Sequence, residues 1–201
     1  MKKIILSLAI VGVVGAIVIG GTIAYFSDTE TSTGNTFTAG TLDLDLTDSS
    51  EDGTEGETGT FRFSNMAPGH FEGEPLTLRN VGSVDGYINL LNIIATNTEG
   101  YNPESETGDK GEPGELGDNL QVMIFFDKNA NGIYNGSGDV LVSNWVALNS
   151  LATAYNTNYF LASGASVILR VHWELPTSTG NDVQGDIADL SFTVELNQVP
   201  H

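Results

Sequence analysis

The sequence predicts an all-β fold: an antiparallel β-sandwich of jelly-roll type, with about eight strands behind an N-terminal signal or anchor segment. Three observations predict it. Short apolar runs are separated by loops rich in Gly, Asn, Ser, Thr and acids. Within most runs apolar and polar residues alternate with the period of a half-buried strand, and helical periodicity is almost absent. Strands in this number with turn signals between them suit a sandwich better than any helical or mixed class.

The elements follow in chain order. Lys2-Lys3 and the apolar run Ile4–Ile19 read as the cationic and hydrophobic parts of a leader. Thr22-Ile23-Ala24 then offers small residues at the −3 and −1 positions of a processing site, so residues 1–24 are read as a signal peptide. Left uncut, the charge-free span from Ile4 to Ser27 is long enough to cross a bilayer and would act as an anchor. On either reading the rest of the chain lies outside the membrane. Residues 25–37 are polar between aromatic ends, and by composition alone they describe a flexible stalk. Residues 38–201 form the domain.

Leu42, Leu44 and Leu46 alternate with Asp43 and Asp45, and Phe61/Phe63 and Leu76/Leu78 repeat the pattern. Tyr87–Ala95 and Leu120–Phe126 are more continuously apolar, which predicts strands covered on both faces. Val140–Leu148, Val167–Leu175 and Leu190–Leu196 complete the strands. Asn149–Phe160 is the one stretch read as a short helix. Asp48–Thr60 holds five acids and no base, and Glu99–Asp118 holds seven acids with two prolines and five glycines; both read as solvated loops.

Composition excludes several functions. Seven Lys and Arg stand against 26 Asp and Glu, for a net charge of −19, so the chain lacks the cations that neutralise nucleic-acid phosphates. Nucleic acid is therefore not a partner. The absence of cysteine excludes a disulfide framework, thiolate zinc sites and a cysteine nucleophile.

The sharpest local pattern runs from Asp127 to Asp139. Asp127, Asn129 and Asn131 place oxygen donors at loop positions one, three and five, Gly132 permits a sharp turn, and Ile133 offers a carbonyl. Asp139 would close the set one position later than the EF-hand pattern has its glutamate. Hard oxygen donors suit Ca²⁺, and two carboxylates with two amides would hold it weakly. A β-hairpin turning at Asn131-Gly132 or Asn135-Gly136 accounts for the same residues without a metal.

Gly21-Thr22-Ile23-Ala24-Tyr25-Phe26-Ser27-Asp28 is followed by Phe37-Thr38-Ala39-Gly40-Thr41-Leu42-Asp43-Leu44, and these stretches resemble the TasA/camelysin family of secreted bacterial and archaeal proteins. Pro68-Gly69 precedes a strand that ends in Asn80-Val81-Gly82-Ser83, and Asn181-Asp182-Val183-Gln184-Gly185-Asp186 leads into the last strand. His70 departs from the pattern, which has an acidic residue after Pro-Gly. The resemblance implies a jelly-roll subunit, exported through signal peptidase, that polymerises with itself into extracellular filaments or pili of a biofilm matrix. The N-terminal segment would act as a donor strand, with Tyr25, Phe26 and Phe37 as anchors.

Camelysin-like members have been described as metalloproteases, and the residues offer that chemistry little. The chain has no His-Glu-x-x-His helix to supply two ligands and a base, no Gly-x-Ser-x-Gly elbow and no phosphate-binding glycine loop. Its histidines are His70 beside a turn, His172 in a strand facing away from Val171 and Trp173, hence expected in solvent, and His201 at the end. No catalytic residue is assigned. The reading is a non-enzymatic, secreted filament subunit with Ca²⁺ as its one candidate cofactor. A membrane-tethered monomeric binding module is the alternative, and a secreted hydrolase ranks third.

Overall fold

The computed structural model describes residues 41–42, 44–48, 58–100, 113–136, 138–180 and 182–201. The leader, the 25–37 segment and its anchors Tyr25, Phe26 and Phe37 lie outside the described residues. Among the described residues nine strands succeed one another: β1 Leu44–Asp48, β2 Thr58–Ser64, β3 Phe71–Asn80, β4 Gly86–Thr98, β5 Gln121–Asp127, β6 Val140–Ala147, β7 Tyr155–Leu161, β8 Ser166–Glu174 and β9 Ile187–Asn197. One helical turn, Leu116–Asn119, precedes β5, and a 3-10 turn, Leu148–Ser150, follows β6.

The strands form two antiparallel sheets, a five-stranded one in the order β1-β3-β8-β5-β6 and a four-stranded one in the order β2-β9-β4-β7. With β1 set aside, the pairs nest: β2 with β9, β3 with β8, β4 with β7 and β5 with β6. A long antiparallel ribbon folded over on itself produces this order, and it is the jelly roll expected from the sequence. The count is nine rather than eight because Tyr155–Leu161 is a strand, not the short helix expected there. Tyr155 and Tyr159 turn inward against the core, a spacing of four that also fits one helical turn, so periodicity alone misassigned it.

Alternation places the core. β2 buries Phe61 and Phe63 and exposes Thr58, Thr60, Arg62 and Ser64. β8 contributes Val167, Leu169, Val171 and Trp173, and β9 contributes Ala188, Leu190, Phe192 and Val194. Between the sheets, Phe63 meets Trp173 edge-on at 5.1 Å and Phe126 stacks on Tyr159 at 4.1 Å. Each fully buried Leu, Val or Phe of this kind stabilises the fold by about 1.5–3 kcal/mol. β5 is buried on both faces, as its continuous apolar run predicted.

The second face of β5 explains one correction. His172 does point away from Val171 and Trp173, but it is only 6% exposed rather than solvated. Phe71 and Phe125 pack edge-on against its ring at 5.4 and 5.0 Å, and Tyr134 covers Phe125. The β5–β6 loop thus roofs a second apolar layer on the outer face of the five-stranded sheet.

Candidate functional site

The β5–β6 loop carries the candidate calcium residues. It begins where β5 ends, at Asp127, and closes just before β6, with Asp139 buried at its base. Gly132 has a φ of 79° and Ala130 one of 55°, so the chain turns sharply at the apex. Asp127 accepts hydrogen bonds from the Asn131 and Gly132 N–H groups at 3.2 and 2.9 Å. Asn129 Oδ1 accepts from Asn131 N, and Asn131 Oδ1 accepts from Ile133 N. Asp139 accepts from Lys128 N and Asn135 N across the loop.

A protein cation is already present in this set. Arg170 of β8 donates through Nε to Asp127 Oδ2 at 2.7 Å, with the carboxylate side chain fully buried and the arginine 16% exposed. Burial pushes the Asp127 carboxyl up, but the Arg170 hydrogen bond and charge and the Gly132 and Asn131 N–H groups outweigh it, so the group is held below its ordinary 3.8. The neighbouring His172 is lowered from its ordinary 6.5, first by burial and then by the Arg170 charge. A hydrogen bond with the Gly132 backbone and the charge of Asp127 pull the other way. Arg170 and His172, two residues apart on β8, therefore hold the base and the apex of the loop.

The described parts of the sequence motifs that carried the resemblance have structural tasks. Thr41 N donates to Ser83 Oγ at 2.8 Å, and Ser83 N and Val84 N donate to the Thr41 carbonyl, which clamps the start of the domain onto the β3–β4 turn. Asn80, fully buried, holds that turn by donating to the Val84 and Leu161 carbonyls and accepting from Gly82 N. Gly69, with a φ of 86°, donates to the Leu175 carbonyl, and Leu175 N donates back to His70.

Asp186 closes the last of these motifs and was not singled out by its sequence context. It is 1% exposed and accepts from Gly100 N, Glu115 N and Leu116 N, so it gathers the two ends of the Glu99–Asp118 loop. Carboxylate oxygens of Glu99, Glu115 and Asp186 lie within 4.8 Å of one another. All three ligand atoms are hard oxygens, a set suited to Ca²⁺ or Mg²⁺ and poor in the nitrogen donors of a catalytic zinc site. Positions 99, 115 and 186 share no local pattern that a linear reading could join.

The histidines do not converge. His70 is exposed and paired with Glu72 at 3.0 Å, His172 is sealed under Phe71 and Phe125, and His201 lies 3.9 Å from Glu195. Among the described residues, the carboxylate trio is the one group of three candidate metal ligands, and it contains no histidine. An open groove of about 440 Å³ between β4 and the 3-10 turn is lined by residues such as Ile93, Ala95, Leu148 and Leu151, with no acid, base or histidine. Among the described residues, no helix is long and apolar enough to cross a membrane.

No curated protein matches the chain. A family model, described as camelysin metallo-endopeptidase, matches residues 1–201. The match covers the whole chain, and the chain belongs to the camelysin family.

Proposed function

We propose that this chain is a secreted structural subunit of extracellular filaments that polymerises by donating its N-terminal segment to the next copy. Family membership supports a secreted or surface location, in keeping with the cationic and apolar leader. The observation that carries the reading is that the described residues from Thr41 onward assemble both sheets and an apolar core. Its buried apolar side chains run from Leu46 to Val194, and the chain enters at the Thr41–Ser83 clamp on the β3–β4 turn. The sequence before Thr41 is rich in threonine, and head-to-tail pairing of such a segment with a neighbour through backbone hydrogen bonds would propagate.

The family's description as a metallo-endopeptidase supports a rival reading as a secreted peptidase, and the donor set does not fit it. Catalytic zinc takes histidine nitrogens with a carboxylate, whereas the three histidines here are separate and the clustered ligands are all carboxylates. Calcium remains a proposal for the Asp127, Asn129, Asn131, Ile133 and Asp139 loop. Because Arg170 already compensates Asp127, the ion would bind weakly, with a Kd on the order of 10⁻⁴–10⁻³ M.

Electron microscopy of the secreted protein, concentrated with and without calcium, tests the proposal. Filaments of regular repeat are expected, and deletion of residues 25–37 should abolish them. Single particles alone, under both conditions, would favour the tethered module. Chelator-sensitive cleavage of casein by filament-free protein would favour the peptidase.

A further inference from the structure

The chain contains two Asn-Gly steps, Asn131-Gly132 and Asn135-Gly136, and both fall in the β5–β6 loop. Such a step carries its own chemistry. The glycine backbone nitrogen attacks the asparagine Cγ and forms a new N–Cγ bond. The Cγ–Nδ2 bond breaks, and ammonia leaves with the proton from the glycine nitrogen. One water then opens the resulting succinimide at either carbonyl, which leaves an aspartate or an isoaspartate. Glycine favours the closure because it has no Cβ to obstruct the ring. Water is the one co-reactant.

The fold treats the two steps differently. Asn131 is tied on both sides of its Cγ: its N–H donates to Asp127 Oδ1 at 3.2 Å and Asn129 Oδ1 at 3.0 Å, and its Oδ1 accepts from Ile133 N at 2.9 Å. The attacking nitrogen, Gly132 N, donates to Asp127 Oδ2 at 2.9 Å. Ring closure there must break the Ile133 bond and swing the amide onto a nitrogen whose hydrogen is committed. Asp127 is a poor base for that hydrogen, because the Arg170 ion pair lowers its proton affinity. Gly136 stands in the open. It is exposed, has a φ of 67°, and no atom lies within 4 Å of the place a Cβ would take. Among the described residues no acceptor holds its N–H. Asn135 is exposed, and its N–H reaches Asp139 Oδ2 at 3.4 Å, longer than any of the four bonds at Asn131-Gly132. We propose that Asn135 deamidates spontaneously in preference to Asn131, and that the new carboxylate adds to the loop's donors for calcium.

The position of the product argues for that consequence. Counted from Asp127, residue 135 is the ninth of the loop, a ligand position in calcium loops. Its N–H already meets Asp139 Oδ2, so a carboxylate formed there stands near the one that closes the loop. Two like charges repel without a cation and share one when it is present, and calcium affinity rises with the charge count of the donors. The calcium half of the proposal rests on the reading of the loop given above. The deamidation does not.

Full-length protein is held in mildly alkaline buffer and sampled over days for peptide mapping by mass spectrometry. Asn135 should exchange its amide for a carboxylate at least about tenfold faster than Asn131, since opening the Asp127 bonds at Asn131-Gly132 slows the second step. In urea, where those bonds are gone, the two rates should converge. Equal rates in the folded protein, faster loss at Asn131, or an Asn135 that keeps its amide or carries another adduct overturns the proposal. Calorimetry then compares calcium binding to Asn135→Asp, which has the product's charge, and Asn135→Gln, which keeps an amide. Binding about tenfold tighter to Asn135→Asp is expected. Equal, measurable affinities refute the calcium half and leave the calcium reading of the loop standing. No binding to either variant overturns that reading together with the calcium half, whatever the deamidation rates.

Discussion

Replacing Asp127 by Asn tests the latch between the β5–β6 loop and β8. The substitution keeps the shape and one accepting oxygen but removes the charge that faces Arg170. At 2.7 Å, with the carboxylate fully buried, the gross attraction is roughly 6 kcal/mol at an effective dielectric constant of 20. Desolvation of the two ions offsets much of this, and the Asn131 and Gly132 N–H groups keep a partial acceptor. The expected net loss is about 2–4 kcal/mol, or a Tm decrease of about 5–10 °C for a domain of this size. Urea unfolding followed by Trp145 and Trp173 fluorescence measures it. A double-mutant cycle with Arg170→Gln should return about 2 kcal/mol of coupling. The pH dependence has a defined sign. Because the Asp127 pKa is lowered in the folded state, its contribution is complete above the ordinary 3.8 and is lost as pH falls through the folded value. Wild type and Asp127→Asn should therefore converge in strong acid. A difference below about 0.5 kcal/mol at neutral pH, or one that persists undiminished at the acid end, refutes the latch.

Four further outcomes follow from the same geometry. Asp186→Ala leaves the N–H groups of Gly100, Glu115 and Leu116 without their acceptor, partly offset by relief of repulsion from Glu99 and Glu115. A net loss of about 2–3 kcal/mol is expected in thermal unfolding, with faster Glu-specific proteolysis between residues 100 and 115. The lowered pKa of His172 means the folded state resists its protonation, so stability is full above 6.5 and declines as pH falls below it; in His172→Phe that part of the pH profile should flatten. Gly73→Ala would drive a Cβ into the His172 ring, and overpacking of about 1–3 kcal/mol should appear in denaturant melts. In Arg170→Gln the carboxylate of Asp127 loses its internal cation, so millimolar calcium should raise Tm more in this variant than in wild type.

Strands with one buried face were legible in the sequence, since Phe61/Phe63 and the Val167–Trp173 series alternate with polar neighbours and match the core. β7 was not, because inward tyrosines four apart, a left-handed Asn158 and a nearby 3-10 turn imitate a short helix. Alternation also tells which way a side chain points but not what lies above it. His172 points away from Val171 and Trp173 as expected, and only the Phe71 and Phe125 rings packed on it make it buried. The Asp127 series was visible as a loop motif, whereas its partner Arg170 comes from a strand 43 residues away. Asp186 reads as one more acid in an acidic chain, and its three N–H partners exist only once the Glu99–Asp118 loop has closed.

The nested pairing has a kinetic consequence. β2 must wait for β9, which lies more than a hundred residues further along and sits between β2 and β4 in the four-stranded sheet. β8 holds the same central place between β3 and β5. Neither sheet can close until the last quarter of the chain is available, so local hairpins win little before the long-range closures are made. A chain that emerges N-terminus first remains unfolded until its final strand arrives, and then closes in one slow, cooperative step. The leading segment is therefore released early, while the edge of β2 acquires its shape last.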